Sequence, residues 1–151
     1  MARGGGFSVK VEGLKDLEKA LRELPRANAK AVLRRTLKQA GEPVAKTARA
    51  LAPKEVGYLA ESIDVSPKLS KRQRGIHSRQ SPVEMFIGPG TDPAAHLQEF
   101  GSGPGHVAQP FMRPAWDQNK GKVLDTIANL TWIEIENTAN RLAKRAAKGR
   151  K

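Results

Sequence analysis

The residues best suited to chemistry are the histidines His77, His96 and His106, and His96 lies three positions before Glu99. Side chains three apart share a helical face, so this imidazole and carboxylate could serve as an acid–base pair or as two metal ligands. A metal site needs further placed ligands, and the paired-histidine motif of zinc proteases is missing. We therefore expect no metal and no cofactor, and we interpret His96 as a capping or packing residue.

Other catalytic patterns are also missing. The glycine-rich residues 101–105 lack the Lys-Ser/Thr ending of a phosphate-binding loop and do not follow a long strand. Ser78, Ser81 and Ser102 stand in no nucleophile-elbow context. The acidic residues are dispersed singly, so no acid–base dyad stands out. The sequence predicts no catalytic residue and favours a protein that is not an enzyme.

Length and composition indicate one domain. A chain of 151 residues is long enough to bury a core, and the lack of cysteine excludes disulfides and thiolate metal sites. No apolar run approaches the roughly 20 residues that span a bilayer, and the N-terminal sequence lacks the apolar core of a signal peptide. We expect a soluble protein that is made in the cytoplasm and has no membrane partner.

The net charge of +12 is concentrated in two segments, one between residues 68 and 79 and one near the C-terminus. Such segments either solubilise the chain or contact phosphates or an acidic protein. Neither contains an aromatic residue on which bases could stack, so contact with DNA would be through phosphates, non-specific and salt-sensitive. The candidate contact residues are Lys68, Lys71, Arg72, Arg74 and Arg79 in the internal segment, and Arg145 and Lys148 near the C-terminus.

The first half of the chain reads as a strand followed by two helices. We expect residues 1–6 to be disordered and residues 7–11, which alternate apolar and polar, to form a short strand. Leucines at helical spacing predict a helix over residues 14–24. A second helix covers residues 32–51, and Gly41 and Pro43 should kink it or split it in two.

Two antiparallel strands should follow. An extended section begins at Gly57 and includes the alternating residues 63–66, and a second strand covers residues 83–87. An extended basic loop over residues 67–82 joins them, and a structureless loop of that length is usually functional or disordered.

The stretch from His96 to Trp116 joins the sheet to the last helix. Residues 96–101 predict one helical turn closed by glycine, and residues 102–107 predict a flexible loop. Two prolines, Pro110 and Pro114, then bracket an apolar pair, Phe111 and Met112, which we expect to be buried anchors.

The last helix is predicted from Arg113 or Pro114 to Ala147, with a basic tail over residues 148–151. Its apolar stripe is widened by Trp116, Trp132 and Ile133. At about 50 Å it is longer than a small domain needs. Either part of it packs on another subunit or it is a single amphipathic core helix that frays late.

Glu99 is the first candidate for an anchor between elements, paired with Arg113 or another cation. Its carboxylate could equally cap a local turn. Taken together, the patterns predict an α+β domain over residues 7–147, with a small antiparallel sheet packed by two or three helices.

The order of these pieces resembles the head–tail joining, or tail-completion, neck proteins of tailed bacteriophages, the "gene product ten"-like family. The resemblance spans roughly residues 7–140 and is specific at Glu99-Phe100-Gly101 and at Pro110-Phe111-Met112-Arg113-Pro114-Ala115. It is looser at Gly57-Tyr58-Leu59-Ala60-Glu61-Ser62-Ile63. Ala95-His96 stands where the family usually has Tyr-Ala, Ser102 replaces its threonine, and the basic segments are outside its pattern.

This resemblance implies a structural protein of the virion neck that oligomerises into a ring between the head-side connector and the tail, around the path of the DNA. Its partners would be copies of itself and the neighbouring connector and tail proteins. The residues carrying the resemblance would be anchoring or inter-subunit contacts, and the basic segments would face DNA or an acidic neighbour.

Two other functions remain open from the residues. A small basic α+β nuclease could use His96, Glu99 and Arg113 as acid, base and phosphate clamp, provided that they converge in a cleft. A nucleic-acid-binding module could instead act through the basic loop and tail.

Overall fold

The computed structural model describes residues 13–55 and 57–149. The predicted disordered residues 1–6 and the predicted strand at residues 7–11 lie outside this range. The described elements are, in order, α1 Leu14–Glu23, α2 Arg26–Leu51, α3 Gly57–Ser62, β1 Ile63–Ser66, α4 Lys71–Ile76, β2 Phe86–Pro89, α5 Pro93–Phe100 and α6 Met112–Lys148. The predicted α+β class, with a small antiparallel sheet and a long C-terminal helix, is confirmed.

Helices α2 and α6 pack antiparallel and form the frame of the domain. Near one end, Arg35 Nη2 lies 2.7 Å from Glu134 Oε2, and near the other, Asn119 Nδ2 donates to Thr47 Oγ1 at 3.0 Å. The core-facing side of α2 carries small side chains, which allow close packing of neighbouring elements. Its buried apolar residues are Val32, Ala40, Val44, Ala45 and Ala48.

Pro43 lies inside a continuous α2, so of the two predicted alternatives, a kink or a split, the split is excluded. Proline has no N–H for the carbonyl of Gln39, four residues earlier. Both residues are exposed, so water can hydrate that carbonyl, while the opposite face of the helix stays packed in the core.

The sheet packs on α2 at Gly41. Strands β1 and β2 are antiparallel, and Ile63 pairs with Pro89 while Val65 pairs with Ile87. Ile63 and Val65 are buried and face the core. A Cβ atom added to Gly41 would lie 3.0 Å from Val65 Cγ1 and 3.1 Å from Ile87 Cδ1, so the sheet uses the space that this glycine leaves.

Three predictions around the sheet are wrong. The section that begins at Gly57 is the short helix α3, which buries Leu59, exposes Tyr58 and is closed by Ser62 Oγ donating to the Leu59 carbonyl. The second strand is displaced from residues 83–87 to Phe86–Pro89. The reason is that Glu84 accepts hydrogen bonds from the backbone nitrogens of Gln80 and Ser81, which holds the preceding backbone in a turn.

The third wrong prediction concerns the connection over residues 67–82. It was expected to be an extended loop, but it contains helix α4. Helix α4 forms there because Ser70 and Gln73 make a reciprocal capping box. The Ser70 side chain accepts from the Gln73 nitrogen at 3.2 Å, and the Gln73 side chain accepts from the Ser70 nitrogen at 2.9 Å.

The long helix α6 begins at Met112 and ends at Lys148, within one or two residues of the prediction. Its buried residues include Val123, Thr131, Ile135 and Thr138. Leu17 of α1, Val32 and Ile135 form a second, smaller core cluster. Among the described residues, no helix is both long and apolar enough to cross a bilayer.

Candidate functional site

Helix α5 is fixed at both ends by local sequence. The Asp92 side chain accepts from the Ala94 nitrogen at 2.9 Å, and Pro93 occupies the first turn, where no donor is needed. Gly101 ends the helix with φ +74°, a region that favours glycine. The predicted turn at residues 96–101 is therefore the second half of an eight-residue helix.

Glu99 projects from α5 and caps the start of α6. Its Oε2 accepts from the backbone nitrogens of Phe111 at 2.8 Å and Met112 at 3.0 Å, and its Oε1 accepts from the Arg113 nitrogen at 3.1 Å. The first nitrogens of a helix have no partner within it, and the helix dipole favours a negative charge there. We call the group of Glu99, Phe111, Met112 and Arg113 the α5–α6 joint.

Arg113 adds a side-chain contact to the same carboxylate. Its Nε lies 3.3 Å from Glu99 Oε1, and its Nη2 donates to the Glu99 carbonyl at 3.4 Å. The predicted pairing of Glu99 with Arg113 is therefore present, and the same carboxylate also caps a helix. The helix that it caps is α6, 12 residues away in sequence, rather than a local turn.

The charge state of Glu99 follows from this geometry. Burial raises the pKa of the Glu99 carboxyl, but hydrogen bonds from the Met112, Phe111 and Arg113 nitrogens and from the Arg113 side chain together outweigh burial. The net result is a pKa below 4.5, the ordinary value for this group. The carboxylate is therefore ionised at neutral pH and holds its full negative charge at the start of α6.

The loop between α5 and α6 is closed by backbone hydrogen bonds. The Gln109 nitrogen donates to the Gln98 carbonyl at 2.7 Å, and the Ser102 nitrogen donates to the His106 carbonyl at 3.1 Å. A Cβ atom at Gly101 would lie 2.9 Å from the His106 carbonyl oxygen, so the loop returns closely over this glycine. The predicted flexible loop is thus tied at its base to the end of α5.

The apolar pair of the joint is only partly buried. Phe111 is fully buried in the main core, whereas Met112 is half-buried. Pro110 is exposed, and Pro114 occupies the first turn of α6, where its missing N–H leaves no hydrogen bond unmade. The joint therefore has one core anchor, Phe111, and a rim that reaches the surface.

A small stack covers the outside of the joint. The Arg113 guanidinium lies 5.3 Å from the centre of the Phe100 ring, and the His96 ring lies 4.9 Å from it. Phe100 nevertheless remains 59% exposed, and Leu97 on the same helix is 44% exposed. The joint thus presents an apolar surface to solvent on its α5 side.

A groove lies on the α6 side of the joint. Its volume is about 590 Å³, and the exposed Trp116 lines it. Arg113 belongs to both surfaces, since it stacks on Phe100 and also lines the groove. The other apolar residues of the lining are Val44, Met85, Phe86, Ile87 and Met112.

The structure brings Glu99 and Arg113 together but gives them no visible catalytic arrangement with His96. Both oxygens of the Glu99 carboxylate accept backbone hydrogen bonds, which leaves it poorly placed as a general base. His96 instead packs against Phe100. Within residues 13–55 and 57–149, no cluster of three or more acidic or histidine side chains is arranged to hold a metal.

The predicted basic contacts fall into three places. Lys68, Arg74 and Arg79 line a second groove, which lies beside α2. Lys71 and Arg72 are exposed on α4 outside the lining of this second groove. Near the end of α6, Arg145 lines a separate hollow, and Lys148 is exposed in the last turn of the helix.

Two arginines of α2 also contribute to these basic surfaces. Arg34 lines the groove with the connection, and Arg35 lines the hollow at the end of α6. From the sequence alone, both belong to the polar side of an amphipathic helix. No local signal could have paired them with segments that are far away in sequence.

Comparison with known proteins gives one match. Residues 15–101 match the model of a family described as "Bacteriophage HK97-gp10, putative tail-component". The matched segment covers more than half of the chain, from α1 to Gly101, and includes Glu99 and Phe100. No curated protein and no solved structure was found to match.

Proposed function

The chain belongs to the HK97 gp10-like family of bacteriophage tail components, and on this basis we propose that it is a non-enzymatic structural protein of the virion neck. Copies assemble into a ring that joins head and tail around the DNA path. Its partners are other copies of itself and the connector and tail proteins above and below the ring. The basic segments then face either the DNA or an acidic neighbour.

The observation that carries the ring proposal is the pair of different apolar surfaces at the α5–α6 joint. One, which we call the α5 surface, includes Leu97 and Phe100, and Val107 of the following loop is also exposed, at 77%. The other is the groove beside Trp116, which is 47% exposed. Contiguous exposed apolar surface usually marks an interaction site.

Two different surfaces on one subunit favour a heterologous contact. In such a contact the α5 surface of one copy binds the groove of the next, and repetition closes a ring when the rotation allows. An isologous dimer would instead bury the same surface twice. The joint is suited to this role because Glu99 fixes the direction of α6, and with it the position of Trp116, relative to Phe100.

Variants with one damaged surface test the heterologous contact. Phe100→Ser damages the α5 surface, and Trp116→Ser damages the groove. Each alone should fail to form rings in sedimentation velocity measurements and in particles. A mixture of the two should form dimers, because one intact α5 surface then meets one intact groove. Tyr58→Ser is the matched control, since Tyr58 is an aromatic residue 82% exposed on α3.

Particle assembly provides the functional readout. Phage lacking this chain should accumulate unjoined heads and tails, and the wild-type chain and the Tyr58→Ser variant should restore joined particles. The Phe100→Ser and Trp116→Ser variants should not. Joined, infectious particles in the absence of the chain would overturn the neck proposal, and full activity of both variants would overturn the proposed ring contact.

A further inference from the structure

Basic residues from two segments that are far apart in the sequence lie on either side of the same turn of α2. Arg34 lines a groove of about 640 Å³ together with Lys68, Arg74 and Arg79 of the β1–β2 connection. The next residue, Arg35, lines a hollow of about 210 Å³ that also contains Arg141 and Arg145 of α6. Adjacent helical residues point about 100° apart, so the cations spread across α2.

Acidic residues neutralise little of this surface. Glu84 is the acid in the groove lining, and it already contacts His77 Nε2 at 2.9 Å and the backbone nitrogens of Gln80 and Ser81. The hollow contains no acid in its lining, although Arg35 pairs with Glu134 just outside it. Across the described part of the chain, Arg34, Lys68 and Arg74 have no ion-pair partner.

Hydrogen bonds hold the residues around the groove in fixed positions. The Arg79 guanidinium is held by the carbonyls of Ser81 and Pro82. The Glu84 contacts fix the turn before β2, and the capping box holds the start of α4. A site whose backbone is already ordered loses less conformational entropy when it binds.

We propose that this surface, from the groove across α2 to the hollow, binds the phosphate backbone of double-stranded DNA. An extended polyanion can contact both sides of α2, whereas a compact anion would occupy one side. The cations are mostly arginines, which bind phosphate oxygens in bidentate geometry. The two aromatic rings in the groove lining, Phe86 and His77, pack edge-to-face against each other at 5.2 Å, so we expect no base stacking and no sequence preference.

This inference builds on the proposed function only in identifying the DNA as that of the virion. Its test uses the isolated full chain, so its failure would leave the neck role standing. The probe is a random-sequence DNA duplex, and its affinity is measured by fluorescence anisotropy over a series of salt concentrations. The logarithm of the association constant should fall linearly with the logarithm of salt concentration.

Two double variants separate the two sides of the surface. Arg34→Gln with Arg74→Gln removes charge from the groove, and Arg141→Gln with Arg145→Gln removes it from the hollow. Each should weaken DNA binding and reduce the salt slope by about 2, one for each lost phosphate contact. The control of equal charge is Lys54→Gln with Lys122→Gln, two exposed residues outside both linings.

The proposal predicts that both double variants lose affinity and that the control does not. It would be overturned if the control lost as much affinity as the variants, or if only one side of α2 mattered. A polyglutamate peptide of matched charge distinguishes an acidic protein partner. Tighter binding of that peptide than of DNA, with loss in the same variants, would also overturn the proposal.

Discussion

The Oε2 atom of Glu99 lies 2.8 Å from the backbone nitrogen of Phe111, so a side chain at the end of α5 caps the start of α6. The same carboxylate accepts hydrogen bonds from two further backbone nitrogens and from the Arg113 side chain. Glu99 therefore sets the direction of α6, the longest helix, and it is also the sequence neighbour of the exposed Phe100. Folding of the subunit and the shape of the proposed ring contact are coupled at this point.

Replacing the carboxylate by an amide should destabilise the subunit. Glu99→Gln keeps the size of the side chain but removes the negative charge, and its amide group points a donor at backbone donors. We expect the free energy of unfolding to fall by about 2–3 kcal/mol, as when hydrogen bonds to a charged group are lost. Urea denaturation measures this change.

The matched control is Glu136→Gln, since Glu136 is exposed on α6, the helix that Glu99 caps. Its effect should stay within about 0.5 kcal/mol. Equal effects of the two substitutions would show that the cap contributes nothing specific.

The pH dependence of stability should change with the same residue. Hydrogen bonding lowers the pKa of Glu99 in the folded state below 4.5, so the unfolded chain takes up this proton first as the pH falls. The contribution of Glu99 to stability is therefore present above about pH 4.5 and is lost as the pH falls through the folded-state pKa.

Thermal unfolding from pH 7 down to pH 3 checks this sign. The melting temperatures of wild type and Glu99→Gln should converge as the solution becomes more acidic. A gap between the two proteins that stays constant over the whole range would mean that the Glu99 charge is not involved.

Phe111 and Phe100 should respond differently to the same substitution. Phe111 is fully buried, so Phe111→Ala should reduce the free energy of unfolding by about 3–5 kcal/mol. Phe100 is 59% exposed and stacks under Arg113, so Phe100→Ala should cost less than about 1 kcal/mol. Chemical denaturation of both variants provides the comparison, and similar losses would contradict the assignment of Phe111 as the core anchor.

Two helical glycines provide a test of the packing between helix and sheet. Gly121→Ala in α6 adds a methyl group in open space and should stabilise the protein by about 0.5–1 kcal/mol. Gly41→Ala would place its Cβ 3.0 Å from Val65, and overpacking of this kind costs about 1–3 kcal/mol. We expect opposite changes in melting temperature; stabilisation by both would mean that the sheet moves aside easily.

The sequence was most informative where local patterns decide the structure. Leucine spacing predicts α1, and the bracket of Pro110 and Pro114 places the start of α6 within two residues. Such signals act within one or two turns of chain. The capping box of Ser70 and Gln73 is also a local pattern, and it indicates the start of α4. The prediction of an extended loop in this connection did not use it.

Non-local contacts could not be read in the same way. The sequence allows a Glu99–Arg113 pair. The three backbone nitrogens that donate hydrogen bonds to the carboxylate, however, come within reach only when α6 starts beside α5. The displacement of β2 has a similar cause, since Glu84 binds nitrogens of the preceding turn. Likewise, the apposition of Arg34 and Arg35 with two distant basic segments depends on the packing of whole elements around α2.

Electron cryomicroscopy of intact particles can detect the proposed neck ring. We expect a closed ring of copies of this chain between the head-side connector and the tail, with Phe100 of each copy against the Trp116 groove of the next. A neck whose density contains no copy of the chain would rule out the ring, and copies that meet through surfaces other than the α5–α6 joint and its groove would rule out the ring contact.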